Sequence, residues 1–127
     1  MSGQRIAELN KLLNTLRSEV PGTRGSFLLN PDGLVIASDF PEQIDLYETG
    51  KLFISLAADG REFASRILHS AGIRFSIWND KGDIQFFPLA GSFLLVVLSD
   101  ADSRPGLLLL RVTRLIEVLN VIFGDGE

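Results

Sequence analysis

The chain has 127 residues, 46% hydrophobic and 22% charged, with 12 Lys/Arg against 16 Asp/Glu, one histidine and no cysteine. Such a composition is too rich in Leu, Ile, Val and Phe for a disordered segment and predicts one soluble globular domain with a real core. The missing cysteines exclude disulfide frameworks, thiol nucleophiles, zinc ribbons and iron–sulfur ligation, and a net charge of −4 argues against nucleic-acid binding, which depends on clustered cations.

The first residues, Met1 to Arg5, show no basic region leading into an apolar run, so no secretory signal is expected. The longest apolar runs, Phe93–Leu98 and Gly106–Leu110, fall far short of the roughly 18 residues that span a bilayer. A cytoplasmic protein without membrane insertion is the expectation. A mean hydropathy of +0.23 is high for so small a domain, which has much surface to keep wet.

No linker, charge block or low-complexity tract divides the sequence, so residues 1–127 read as a single domain. Ile6, Leu9, Leu13, Leu16 and Val20 recur at three- and four-residue steps and predict an amphipathic helix over 4–19, stopped by Pro21-Gly22. Ser26–Asn30 and Leu34–Ser38 flank Asn30-Pro31-Asp32-Gly33, whose residue types suit a type I turn with a bulge and predict a β-hairpin. Asp45, with Glu48 three residues later, marks the start of a second helix. It runs from about Leu46 to His69, with Leu46, Phe53, Ala57, Ala64, Ile67 and Leu68 at helical spacing and Gly50 and Gly60 inside it.

Ile73–Trp78 alternates at period two, and Asn79-Asp80-Lys81-Gly82 repeats the hairpin chemistry. Ile84–Pro88 and Phe93–Leu98 complete a three-strand meander; the latter is apolar at both parities, as a central strand covered on both faces must be. Pro105 stands near the start of a last helix that carries Leu108, Val112, Leu115, Leu119 and Ile122 and stops at Gly124-Asp125-Gly126. The predicted order is α-β-β-α-β-β-β-α, an α/β (α+β) sheet with helices on both sides.

Catalytic constellations are hard to assemble from these residues. His69 closes the second helix, where an imidazole favours the carbonyl end of the dipole, and no serine lies in a G-x-S-x-G elbow. Asp32, Asp80, Asp83, Asp100 and Asp102 sit in turns and strand ends, where capping and solvation explain them. Neither a phosphate-cradling glycine motif nor an EF-hand pattern is present, so neither a nucleotide cofactor nor a metal is expected.

Two features ask for another explanation. The second helix carries Gly50, Ala57, Ala58, Gly60 and Ala64, although glycine costs up to about 1 kcal/mol of helix propensity; small residues there permit close approach by the sheet or by another chain. The strand Ile73–Trp78 is first in its meander and so an edge, yet it holds no Pro or Lys to guard its backbone groups. Arg74, Ser76 and Trp78 would face outward, with Trp78 either marking an interface or capping the core beneath Phe86 or Phe87.

The stretch from Gly25 to Ser38, the long helix, the Gly72 strand, the Asn79–Gly82 turn and the Phe93–Leu98 strand together resemble Roadblock/LC7 domains, over essentially the whole chain. The resemblance implies a profilin-like five-stranded antiparallel sheet with the first and third helices on one face and the second on the other. It implies a homodimer, or a pair with a Roadblock paralogue, in which second helices and third strands meet across a two-fold axis. By position, that surface would comprise Phe53, Ala57, Gly60, Ala64, Ile73, Phe75 and Trp78, with Arg61 available to a small Ras-like GTPase. A non-enzymatic regulator or scaffold of such a GTPase, in bacterial polarity, motility or signalling, is the function implied. The competing expectation is a PAS- or profilin-like sensory module that holds a small ligand between sheet and helix.

Overall fold

The structure, a computed structural model, describes residues 2–124; the expected Asp125-Gly126 stop lies outside the described residues. Three helices, α1 (Gly3–Glu19), α2 (Leu46–Leu68) and α3 (Pro105–Gly124), accompany five strands. The strands are β1 (Thr23–Leu29), β2 (Val35–Asp39), β3 (Phe75–Asn79), β4 (Gly82–Pro88) and β5 (Leu94–Asp100). Every neighbouring pair is antiparallel, in the order β2-β1-β5-β4-β3, so the apolar strand β5 is central and β3 is an edge, as the sequence predicts.

Local chemistry sets the boundaries. The Ser2 hydroxyl accepts the Arg5 amide at 3.1 Å to cap α1, and Asp45 accepts the Glu48 amide at 3.0 Å to cap α2. In the first hairpin, the Asn30 side chain accepts from the amides of Asp32 and Leu34, both at 3.0 Å, and Gly33 takes a φ of +87°, a conformation that side chains disfavour. His69 ends α2 in the left-handed region at φ 62°.

Alternation along the strands divides the core into two layers. On one face Leu28, Phe87, Leu95 and Val97 pack with Leu9, Leu13 and Leu16 of α1 and Leu108, Val112 and Leu119 of α3. On the other, Phe27, Leu29, Phe86, Leu94 and Val96 pack with Phe53 and Ala57 of α2.

Strand boundaries depart from the expectation at several points, with β1 beginning at Thr23 instead of Ser26 and β5 running on to Asp100. The strand predicted from Ile73 begins at Phe75. Continuing the β3–β4 register, in which Phe75 opposes Phe86, would set Ile73 against Pro88, which has no amide hydrogen to donate. A short 3₁₀ turn over Ala90–Ser92, absent from the sequence reading, then leads into β5. Among the described residues no helix is long and apolar enough to cross a membrane.

Candidate interaction surface

Helix α2 has two apolar faces, not one. Gly50, Phe53, Ala57 and Ala64 are buried, with Phe53 and Ala57 packed into the core layer against the sheet and Gly50 against the first hairpin. Leu52, Leu56, Phe63 and Ile67 point to solvent, with Phe63 71% and Leu52 72% exposed. Leu52, Leu56 and Phe63 each precede an inner residue by one position, about 100° around the helix, so they form a stripe along one flank.

The small inner residues explain how closely α2 lies on the sheet. A methyl at Gly50 would run into the Gly33 carbonyl oxygen, and one at Gly60 would come within 2.8 Å of Ile73 Cδ1 and 3.4 Å of Phe75 Cε1. Gly60 lies between the inner face and the stripe in angle and looks onto Ile73 and Phe75, so the stripe faces the β3 side of the sheet. Apolar stripe and free sheet edge are therefore neighbours.

The structure places the residues expected at the dimer surface at different depths in the single chain. Phe53, Ala57 and Ala64 are interior, and Gly60 is half-buried over β3. Phe75, also half-buried, stacks on Phe86 with centroids 4.4 Å apart, while Ile73 is half-buried beneath Gly60. Of the seven residues that the resemblance puts at the dimer surface, Trp78 alone is fully exposed in the single chain, at 61%. Its indole N–H donates to the Ser76 hydroxyl at 2.6 Å, so it lies along its own strand and does not cap the core. Arg74, also outward, holds its guanidinium 4.9 Å from the centroid of Phe87.

The polar groups around this surface are sparse. Glu62 and Arg66 pair across one helical turn at 3.0 Å, and Asp59 lies between Leu56 and Phe63 on the stripe, exposed. Arg61 is half-buried. It is two residues from Phe63, about 160° round the helix, and so stays clear of anything that covers the stripe.

The sheet's other edge is treated differently. The Asn10 side chain of α1 accepts the Ser38 amide of β2 at 3.0 Å, and Arg17 donates to both carboxylate oxygens of Asp39, at 2.5 and 3.3 Å. That contact raises the Arg17 pKa above its usual range, first through the hydrogen bond and then through the charge of Asp39.

Asp83 does not fit the expectation of a solvated turn carboxylate. It stands in β4, 5% exposed, in a cross-strand row with Trp78, Ser99 and Thr23. Burial pushes its carboxyl above the ordinary range, against a hydrogen bond from Gln85 at 3.4 Å that lowers it. The hydroxyls of Ser99 and Thr23 find no partner among the described residues. Among the described residues no group of three or more His, Cys, Asp or Glu is placed to hold a metal ion. Between α2 and the sheet, Phe27, Phe53 and Phe86 meet at centroid distances of 5.4 and 5.8 Å, where a sensory module would hold its ligand.

The Roadblock/LC7 domain model matches residues 9–99. The uncharacterized protein MJ0714 of Methanocaldococcus jannaschii is 29% identical over 102 residues, covering 80% of this chain and 86% of that one. Myxococcus xanthus MglB superimposes with a TM-score of 0.86 at 21% identity, over 98% of this chain and 94% of its own. The gliding protein mglB of Thermus thermophilus gives a TM-score of 0.86 at 21% identity, over 99% and 96%. Matched from α1 through β5 and carrying the α-β-β-α-β-β-β-α order around one antiparallel sheet, this chain belongs to the Roadblock/LC7 family.

Proposed function

We propose that this chain is a non-enzymatic, cytoplasmic regulator or scaffold that pairs through α2 and β3 and presents the pair to a small Ras-like GTPase. The observation that carries the reading is the exposed stripe Leu52, Leu56, Phe63 and Ile67 beside the unguarded edge β3. Contiguous apolar surface of this kind marks an interaction site in a small domain. A second copy removes it from water on both partners while β3 gains a strand neighbour. The aromatic packing between α2 and the sheet favours this reading over a ligand-binding sensory module. Likeness to a gliding protein suggests polarity or motility as the setting to test first.

The reading makes two demands. At tens of micromolar the chain should sediment as a dimer, and Phe63→Asp should leave a folded monomer, because a carboxylate cannot be buried unpaired in an apolar seam. A wild type that stays monomeric, or a dimer indifferent to Phe63→Asp, overturns the pairing. The GTPase demand is tested by binding to small Ras-like GTPases encoded near its gene, loaded with GTP or GDP. A regulator must prefer one state, since a partner of equal affinity for both shifts no equilibrium; equal binding identifies a scaffold, and no binding in either state refutes the GTPase assignment. Arg61→Ala is expected to weaken that binding while leaving the dimer intact.

A further inference from the structure

The α2 stripe is symmetric in a way that singles out one more residue, an inference that rests on the pairing proposed above. Leu52, Leu56, Phe63 and Ile67 are spaced four, seven and four apart, so the pattern reads the same from either end about the point between Asp59 and Gly60. Two antiparallel copies of α2 with their two-fold axis at that point set Leu52 against Ile67 and Leu56 against Phe63, and satisfy all four residues of each copy together. Sliding one helix by four residues keeps only one kind of contact, Leu52 with Phe63 or Leu56 with Ile67, and leaves two stripe residues of each copy without a stripe partner. The self-complementary spacing thus fixes the register as well as the occupant: a second copy of this fold.

Asp59 lies within the stripe, three residues after Leu56 and four before Phe63, and is exposed. It forms no ion pair among the described residues; the nearby Arg66 is engaged by Glu62 at 3.0 Å. A residue at a two-fold axis meets its own copy. In this register the partner residues within one turn of Asp59 are Leu56, Asp59, Gly60 and Phe63, none of them cationic, and Arg61 points away.

We propose that Asp59 sets partner choice at this face. Two Asp59 carboxylates confront each other in the homodimer and weaken it, and the surface is better matched by a second Roadblock chain with a neutral or basic residue at this position. Like charges across an interface act as a device of specificity, disfavouring one pairing relative to another.

The test is sedimentation equilibrium of the full chain, wild type beside Asp59→Asn, Asp59→Lys and Phe63→Asp, with native mass spectrometry of an equimolar mixture of wild type and Asp59→Lys. Two carboxylates at a partly solvated seam should weaken the homodimer about fivefold. Asp59→Asn is thus expected to dimerise about fivefold more tightly than wild type, by a margin that shrinks as salt rises from about 0.05 M to about 0.5 M. Asp59→Lys should pair with itself no better than wild type does, and the mixture should collect in the mixed dimer beyond the statistical proportion. If Asp59→Asn stays within about twofold of wild type and the mixture is statistical, while Phe63→Asp abolishes the dimer, the role of Asp59 is refuted and the pairing face stands. If Phe63→Asp leaves association unchanged, the face itself is wrong and the inference falls with it.

Discussion

Gly50 and Gly60 occupy the same helix ten residues apart, and alanine is expected to be costly at the first and nearly neutral at the second. Each substitution gains about 1 kcal/mol of helix propensity. At Gly50 the new methyl meets the Gly33 carbonyl oxygen, with Val35 Cγ2 at 3.3 Å. That carbonyl belongs to a turn locked by the Asn30 side chain and by the Gly33 amide donating to the Asn30 carbonyl at 3.0 Å, so it cannot swing aside and α2 must lift. Overpacking of this kind costs about 1–3 kcal/mol, and lifting the helix also loosens Phe53 and Ala57 above Phe27 and Phe86, so Gly50→Ala should destabilise by about 1–2 kcal/mol. At Gly60 the obstacle is Ile73 Cδ1 at 2.8 Å, the tip of a side chain that precedes β3 and can change rotamer at a cost near the propensity gain. Gly60→Ala should therefore stay within about 0.5 kcal/mol of the parent. Urea denaturation of both variants in a Phe63→Asp background separates folding from association, and the gap of about 1.5 kcal/mol corresponds to roughly 4–8 °C in melting temperature. Equal shifts, or a stabilised Gly50→Ala, would refute the claim that α2 is seated by contact between Gly50 and the first hairpin.

Two further perturbations probe the elements that carry the surface. Asp45→Ala removes the acceptor for the Glu48 amide and should cost about 1 kcal/mol; hydrogen exchange should speed up in the first turn of α2 and not in β5. Asp83, whose carboxyl is raised by burial, takes up a proton in the folded chain before it does in the unfolded one. Stability should accordingly rise as pH falls from the raised folded value toward the ordinary carboxylate value, and Asp83 should cost stability above that window. Asp83→Asn is therefore expected to raise the urea midpoint near neutrality and to flatten this part of the pH profile; an unchanged profile would show that the carboxylate is adequately solvated.

The elements that were legible in the sequence are those whose chemistry is local. Asn30-Pro31-Asp32-Gly33 names its own turn, Asp45 its own helix start, and Phe93–Leu98, apolar at both parities, its own place at the centre of the sheet. On α2 the periodicity picks out Phe53, Ala57 and Ala64 but not the second stripe beside them, because Leu52-Phe53, Leu56-Ala57 and Phe63-Ala64 are adjacent apolar pairs and spacing alone does not say which member faces the sheet. Size settles two of the three pairs: where the helix rests closely its small residues turn inward, so Ala57 and Ala64 mark the core and Leu56 and Phe63 the surface, whereas Phe53 faces inward although it is larger than Leu52. The start of β3 depended on a partner distant in sequence, Pro88, and the burial of Asp83 on covering elements that no local pattern announces.

The two edges of the sheet complete the case for pairing at one of them. Unpaired strand edges invite uncontrolled addition of further chains, and proteins that stay discrete blunt them. Here β2 is blunted: the Asn10 side chain occupies the Ser38 amide, the Arg17–Asp39 pair clamps the strand to α1, and Pro41 follows directly. On β3 there is no such device among the described residues, and Ile77 and Trp78 are left exposed on the strand itself. If the fold simply tolerated open edges, the guarding would have no reason to be one-sided. Joining two copies at β3 leaves a guarded β2 at each end of the doubled sheet, so the two-fold contact is closed and growth stops at the dimer. The same asymmetry gives the high mean hydropathy a location: part of the apolar surplus lies on the flank of α2 facing the open edge, where the proposed pairing would cover it without enlarging the core of either copy.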